Sequence, residues 1–140
     1  MSRDRSLADK RILIVEDDEN NRMVTMKLLQ VEGVLPENIF AKEEDPIPFL
    51  QTLLPRGVDL ILMDLQLPGK DGYTVLAELR QDENYAHVPV IAITANVMRE
   101  DLQRAQDAGF NGFLGKPING PLFGEHIHRV LDGGTVWAPT

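Results

Sequence analysis

Short apolar runs alternate along this chain with stretches of helical spacing. The most telling run, Leu60-Ile61-Leu62-Met63, ends in one acid, Asp64, after which residues 65–69 turn the chain. A continuous apolar run bounded by turn residues predicts a strand buried on both faces, as in a parallel sheet covered by helices. Residues 11–15 and 88–93 are runs of the same kind. The first leads into Glu16, Asp17 and Asp18, the second into Thr94-Ala95-Asn96. Residues 38–42 and 111–114 complete the set as weaker strands, the latter leading to Gly115-Lys116-Pro117.

Helices fill the gaps. Val24, Leu28 and Val31 recur at i, i+4 and i+7, which predicts a core-facing stripe on a helix capped by Asp18 and stopped by Gly33. The Asp45-Pro46-Ile47-Pro48 stretch predicts a short helix starting near Pro46 or Pro48 and ending before Pro55. Residues 72–81 present Val75, Leu76 and Leu79; Met98, Leu102, Ala105 and Ala108 form a stripe that Gly109 terminates. The last helix carries Phe123, Ile127, Val130 and Leu131, with Asn119 as its cap and Gly133-Gly134 as its stop.

Strand then helix, repeated, means a parallel sheet with right-handed crossovers. Placing the strongest strands in the middle, with the weak second and the glycine-containing fifth at the edges, gives the order 2-1-3-4-5. That is an α/β, flavodoxin-like (βα)5 doubly wound sheet of five strands. Residues 11–132 form the one domain, with a polar arm over 1–10 and a tail over 133–140 in which Trp137 is mobile.

Composition narrows the function. The chain has 140 residues, 43% of them hydrophobic, which is enough for a core. A net charge of -8 argues against nucleic acid and against an anionic membrane surface. With no cysteine, disulfide and thiolate chemistry are excluded. No apolar stretch approaches the roughly 20 residues of a membrane span, and residues 1–10 lack the apolar centre of a signal peptide, so a cytoplasmic protein is expected.

The polar strand ends carry the chemistry. Ligands of open α/β sheets bind at the carboxyl edge of the strands. There the first strand delivers Glu16 and Asp17, the third Asp64, the fourth Thr94 and the fifth Lys116. Neighbouring first and third strands crowd their carboxylates, and hard oxygen ligands of this kind favour Mg²⁺ (or Mn²⁺) over zinc or copper. The backbone carbonyl of Gln66 is a further candidate oxygen.

The segments Ile12-Leu13-Ile14-Val15-Glu16-Asp17, Leu62-Met63-Asp64, Pro68-Gly69-Lys70-Asp71-Gly72, Ile93-Thr94-Ala95 and Gly115-Lys116-Pro117 together resemble a bacterial response-regulator receiver domain. The resemblance covers roughly residues 10 to 132. It implies a phosphoryl group accepted on Asp64 and a metal held by Asp17, Asp64 and the Gln66 carbonyl, with Glu16 acting through water. It implies that Thr94, Ala95 and Lys116 border the phosphoryl group, that Phe113 moves with Thr94 as a switch, and that the Lys116-Pro117 peptide is cis. It further implies a sensor histidine kinase or phosphotransfer protein as donor, and a downstream protein met on the face of the fourth helix, fifth strand and fifth helix, with the chain a monomer or weak homodimer. Lys70 departs from the methionine common in the family, and Phe113 lacks the hydroxyl of the tyrosine often found there. Gln66 and Asn96 stand at positions that tune the lifetime of the phosphoryl group.

Three other readings compete. The chain would be a receiver cut from a hybrid histidine kinase if it continued beyond Thr140. A haloacid-dehalogenase-like phosphatase also uses a strand-end aspartate, but needs an acid two residues later, where Gln66 stands. A flavodoxin-like FMN protein needs a phosphate-cradling loop after the first strand, where three acids stand instead.

Overall fold

The computed structural model describes residues 6–95 and 97–139. Six strands make one parallel sheet: β1 (Ile12–Val15), β2 (Ile39–Lys42), β3 (Leu60–Asp64), β4 (Val90–Thr94), β5 (Gly112–Gly115) and β6 (Val136–Ala138). Their order is β2-β1-β3-β4-β5-β6. The helices are α1 (Glu19–Val31), α2 (Ile47–Thr52), α3 (Gly72–Gln81), α4 (Arg99–Ala108) and α5 (Gly120–Leu131), and a 3₁₀ turn, Pro36–Asn38, precedes β2.

Alternation along the strands divides the core in two. Ile12 and Ile14 of β1, Leu60 and Leu62 of β3, and Ile91 and Ile93 of β4 join Leu29 of α1 and Phe123, Ile127 and Val130 of α5. Leu13, Val15, Ile61, Met63, Val90, Ala92 and Phe113 point the other way, onto Leu50 of α2, Val75, Leu76 and Leu79 of α3, and Ala105 of α4. The three apolar strands are buried throughout, as their unbroken sequence demands. The caps are local chemistry: Asp18 accepts from the N–H groups of Asn20 and Asn21, Asp71 from Thr74 and Asn119 from Leu122.

Four expectations need correction. The sheet has six strands rather than five, because residues 136–138 of the expected tail pair in parallel with β5. The fifth strand is therefore interior, and Trp137 is half-buried rather than part of a loose tail. The N-terminal stretch is more than a polar arm: Leu7 is buried in the core shared by α1 and α5, and Asn38 donates from Nδ2 to the Ala8 carbonyl at 2.9 Å.

The other two corrections concern helix faces. In α1 the buried residues are Thr25 and Leu29, whereas Val24 and Val31 are 52% and 79% exposed. Its apolar residues run nearly all round the helix, so periodicity alone admitted a stripe offset by one position. In α4 only Ala105 is buried, with Leu102 half-buried and Met98 and Ala108 exposed.

The observed face of α1 sets an expected outcome in denaturant. Leu29→Ala should cost about 2–5 kcal/mol, the range for emptying a buried leucine site. Val31→Ala should stay within about 0.5 kcal/mol, as exposed positions do. Equal losses in the two variants would put the wrong face of α1 on the core.

Candidate functional site

The register of β1 against β3 pairs Val15 with Met63, so the next residues, Glu16 and Asp64, leave the sheet side by side. Glu16 and Asp64 are buried at 5% and 6% exposure, and Asp17 is exposed beside them. One carboxylate oxygen from each of the three lies within 4.8 Å of the others. Lys116, one residue past β5, closes the cluster. Its Nζ donates to Asp64 Oδ2 at 2.7 Å and lies 2.8 Å from Glu16 Oε1.

The remaining oxygens are also held. Asp64 Oδ1 accepts from the Gln66 backbone N–H at 2.8 Å, and Glu16 Oε2 from the Asp18 N–H at 3.0 Å. Arg22 reaches back from the first turns of α1 to donate to the Glu16 carbonyl at 3.0 Å. The Lys116 backbone N–H donates to the Thr94 carbonyl at 2.9 Å, fixing the end of β5 against β4.

Burial pushes the Glu16 carboxyl above its ordinary value, and the bonds from Lys116 and the Asp18 N–H do not cancel that penalty. For Lys116 burial acts to lower the ammonium pKa, but the bonds to Asp64 and Glu16 outweigh it and leave the pKa raised. The asymmetry has a simple cause: the ammonium faces two carboxylates, whereas Glu16 shares its one cation with Asp64. The cluster therefore holds its lysine charged while retaining an excess of negative charge. Hard oxygen donors with unmet negative charge suit a divalent cation of the magnesium type.

Thr94 ends β4 next to the Asp64 strand and lines a small cavity with Leu65 and Gln66, whereas Phe113 lies in the core. Both are fully buried, and strand parity puts them on the side of the sheet that faces α3 and α4. Ala95 is exposed just beyond Thr94, and Asn96 lies outside the described residues. The Lys116-Pro117 peptide is cis. The structure thus gathers Glu16, Asp17, Asp64 and Lys116, with Gln66 touching Asp64 through its N–H, and leaves Phe113 in the core.

The loop after β3 is built to approach closely. A Cβ on Gly72 would lie 3.0 Å from the Asp64 carbonyl oxygen and 3.0 Å from Leu65 Cα, so any larger residue there would have to push the start of α3 away from the end of β3. Sequence reasoning missed what Lys70 does. Its Nζ sits 2.9 Å from Asp45 Oδ2 and 2.9 Å from Glu78 Oε1, tying the segment before α2 to the β3–α3 loop and to α3. Asp45 also accepts from the Ile47 N–H at 3.0 Å. Asp45 also lines a cleft of about 670 Å³, together with Asp17, Arg22, Lys42, Phe49 and Pro68. The one advance signal was that Lys70 stands where the resembling motif usually has methionine.

A doubly wound sheet that gathers Glu16, Asp17, Asp64 and Lys116 at its carboxyl edge is consistent with a phosphoryl-transfer signalling switch whose acids could hold a metal. The chain belongs to the response regulator receiver domain family, whose model matches residues 12–128. The polar-differentiation response regulator DivK of Brucella ovis is 37% identical over 122 residues, covering 87% of this chain and 96% of DivK. The receiver domain of a sensor histidine kinase from Pseudomonas aeruginosa, solved with a magnesium ion coordinated in its active-site cleft, has a TM-score of 0.72 at 33% identity, covering 89% of this chain and 98% of that one. The receiver domain of a signal transduction histidine kinase from Syntrophus aciditrophicus has a TM-score of 0.74 at 27% identity, covering 89% and 91%. Chemotaxis response regulator CheY4 of Vibrio cholerae shares the fold, with a TM-score of 0.74 at 22% identity over 86% of this chain and 98% of its own. Receiver domains are signalling proteins, not conventional enzymes, and they work with histidine kinases and downstream targets. No helix among the described residues is long and apolar enough to cross a membrane.

The Lys70 bridge should show in the pH dependence of stability. For Asp45 burial acts upward, but the Lys70 and Ile47 bonds win and hold its pKa below the ordinary 3.8. Its contribution is then present above that value and lost as pH falls through the folded pKa. The Asp45 and Glu78 bonds raise Lys70 above 10.5, so its contribution is complete below 10.5 and lost as pH rises through the raised value. Lys70→Met should lower the unfolding midpoint at neutral pH and flatten its fall at both extremes. Unchanged pH profiles would show the bridge to be energetically silent.

Proposed function

We propose that the chain is a phosphorylation-controlled switch that accepts a phosphoryl group on Asp64 from a histidine kinase or phosphotransfer protein, in a cytoplasmic two-component system or phosphorelay. The observation that carries the reading is the Asp64 carboxylate itself: buried at the end of β3, 2.7 Å from the Lys116 ammonium, and within 4.8 Å of the Glu16 and Asp17 oxygens.

The residues account for the chemistry. A carboxylate is a weak nucleophile, but phosphoryl transfer depends mostly on position and charge neutralisation. An Asp64 oxygen bonds to phosphorus as the bond from phosphorus to the donor's imidazole nitrogen breaks, and the electron pair stays on nitrogen. Asp17 and Asp64, the Gln66 carbonyl and Glu16 through water would hold Mg²⁺ (or Mn²⁺), which when bound supplies positive charge against the phosphoryl oxygens. The Lys116 ammonium, already 2.7 Å from Asp64 Oδ2, would hold a phosphoryl oxygen. Thr94 donates its hydroxyl to another, with Ala95 bordering the group, and Phe113 follows into the space that Thr94 leaves. The product is an acyl phosphate, which water hydrolyses, so the chain also removes its own mark. Output passes to a downstream protein, with the chain a monomer or weak homodimer and no nucleic acid or membrane involved. The likeness to two histidine-kinase receiver domains favours, as a second reading, a receiver that acts within or beside a hybrid kinase.

Acetyl phosphate with Mg²⁺ should add one phosphoryl mass to the wild-type chain and none to Asp64→Ala. Labelling that survives this substitution would refute Asp64 as the acceptor. Mg²⁺ alone should raise the melting temperature, by the equivalent of about 2.7 kcal/mol at a hundredfold excess over Kd. Asp17→Asn should remove most of that shift, and a full shift in this variant would take Asp17 out of the metal site.

A further inference from the structure

We propose that β6 is an intramolecular occupant of the side of the domain formed by α4, β5 and α5, and that the state of Asp64 sets how firmly β6 is held. The proposal rests on the reading of Asp64 as phosphoacceptor.

The seat for this strand is made by two missing side chains. β6 lies in register along β5, Gly112 with Val136, Phe113 with Trp137 and Leu114 with Ala138. A Cβ on Gly115 would lie 1.9 Å from the Pro139 carbonyl oxygen, and one on Gly112 would lie 3.1 Å from the Val136 carbonyl oxygen. No other residue at position 115 leaves room for the chain after β6. Both glycines have ordinary backbone angles, so their smallness rather than their flexibility is what the structure uses.

The strand meets the switch residues at two points. Cross-strand register sets Ala92, Phe113 and Trp137 in one row on the face toward α4, with Thr94 two residues beyond Ala92. Trp137 packs on the same core as Phe113, Ala105 and Leu102. At the strand end, the space beside Gly115 is bordered by Pro139 and also by Val97, whose Cγ1 lies 2.8 Å from the position of that absent Cβ. Val97 belongs to the connection from Thr94 to α4. A displacement of Thr94 or Phe113 therefore meets the C-terminal strand from below and from its end.

The attachment is slight enough to be set by that displacement. β6 has three residues, Gly133 (φ +98°) and Gly134 join it to α5, and its Val136 N–H donates to the Asn111 carbonyl at 3.3 Å. In this arrangement β6 covers the edge of β5 while Asp64 is unmodified. Phosphoryl attachment draws Thr94 toward Asp64, repacks Phe113, loosens Trp137 and uncovers that edge. The occupied and uncovered forms are two states of one element, biased by one site.

Trp137 is the single tryptophan and reports directly. With the full chain, beryllofluoride plus Mg²⁺ should shift Trp137 emission to longer wavelength, and Asp64→Ala should abolish the shift. Val136→Asp, which buries a charge beneath the strand, should begin with red-shifted emission. Val136→Asp and Trp137→Ala should each speed labelling by acetyl phosphate about fivefold or more, the lower end of ordinary allosteric coupling. Mass spectrometry of Asp64 separates the two ways of failing. No modification of the wild-type chain defeats the phosphoacceptor reading. Modification with emission unmoved, or with both variants labelling within about twofold of wild type, overturns the role given to β6.

Discussion

One ammonium group holds the carboxyl edge of this domain together. Glu16 and Asp64 are brought side by side by a register that apolar side chains dictate, and neither can retreat to solvent. Two buried like charges at that spacing are costly, and Lys116 is the only cation placed between them in the described residues. It comes from a strand that does not adjoin either acid-bearing strand; β4 lies between β3 and β5. The bond from Lys116 to Asp64 therefore works across the width of the sheet, and the end of β5 is positioned by electrostatics as well as by the ladder.

The same geometry divides labour between the two faces. Counting along the strands by twos, Glu16, Asp64 and Lys116 fall on the parity of the α1–α5 core, whereas Thr94, Phe113 and Trp137 fall on the parity of the α3–α4 core. Charge is gathered on one side of the sheet edge, and Thr94, Phe113 and Trp137 lie on the other. On the reading proposed above, a chemical event among the acids reaches the second set through the strand ends and the β4–α4 connection, where Thr94 sits. That places the coupling in a short, identifiable stretch, without a diffuse pathway.

Much of this was legible beforehand because the determining signals are local. Unbroken apolar runs mark strands buried on both faces, and a polar residue at the end of each run marks the reactive edge. Asp18, Asp71 and Asn119 cap their helices through their own side chains, which needs no tertiary information for Asp18 and Asn119, the two caps the pattern named. What failed was non-local. The face of α1 could not be chosen because Met23, Val24, Met26, Leu28, Leu29 and Val31 offer two overlapping stripes, and only packing on α5 selects Thr25 and Leu29. β6 is too short for a period-two pattern, and its seat is written in Gly112 and Gly115, more than twenty residues earlier. The partners of Lys70 lie 25 residues before it and 8 after, distances at which sequence gives no pairing rule.

The sixth strand also settles a problem that five strands would leave. A sheet ending at β5 would expose a glycine-flanked, apolar edge, Gly-Phe-Leu-Gly, with its ladder groups unpaired and a large aromatic between them. Such an edge invites pairing with another chain. β6 covers it and is itself a poor template, being three residues long and followed at once by Pro139, which has no N–H to offer. At the opposite edge β2 ends in Lys42 and runs into Glu43 and Glu44, so charge serves there. The two edges are protected by different means. At the β2 edge the guard is charge, whereas at the β5 edge it is a short strand laid along the ladder.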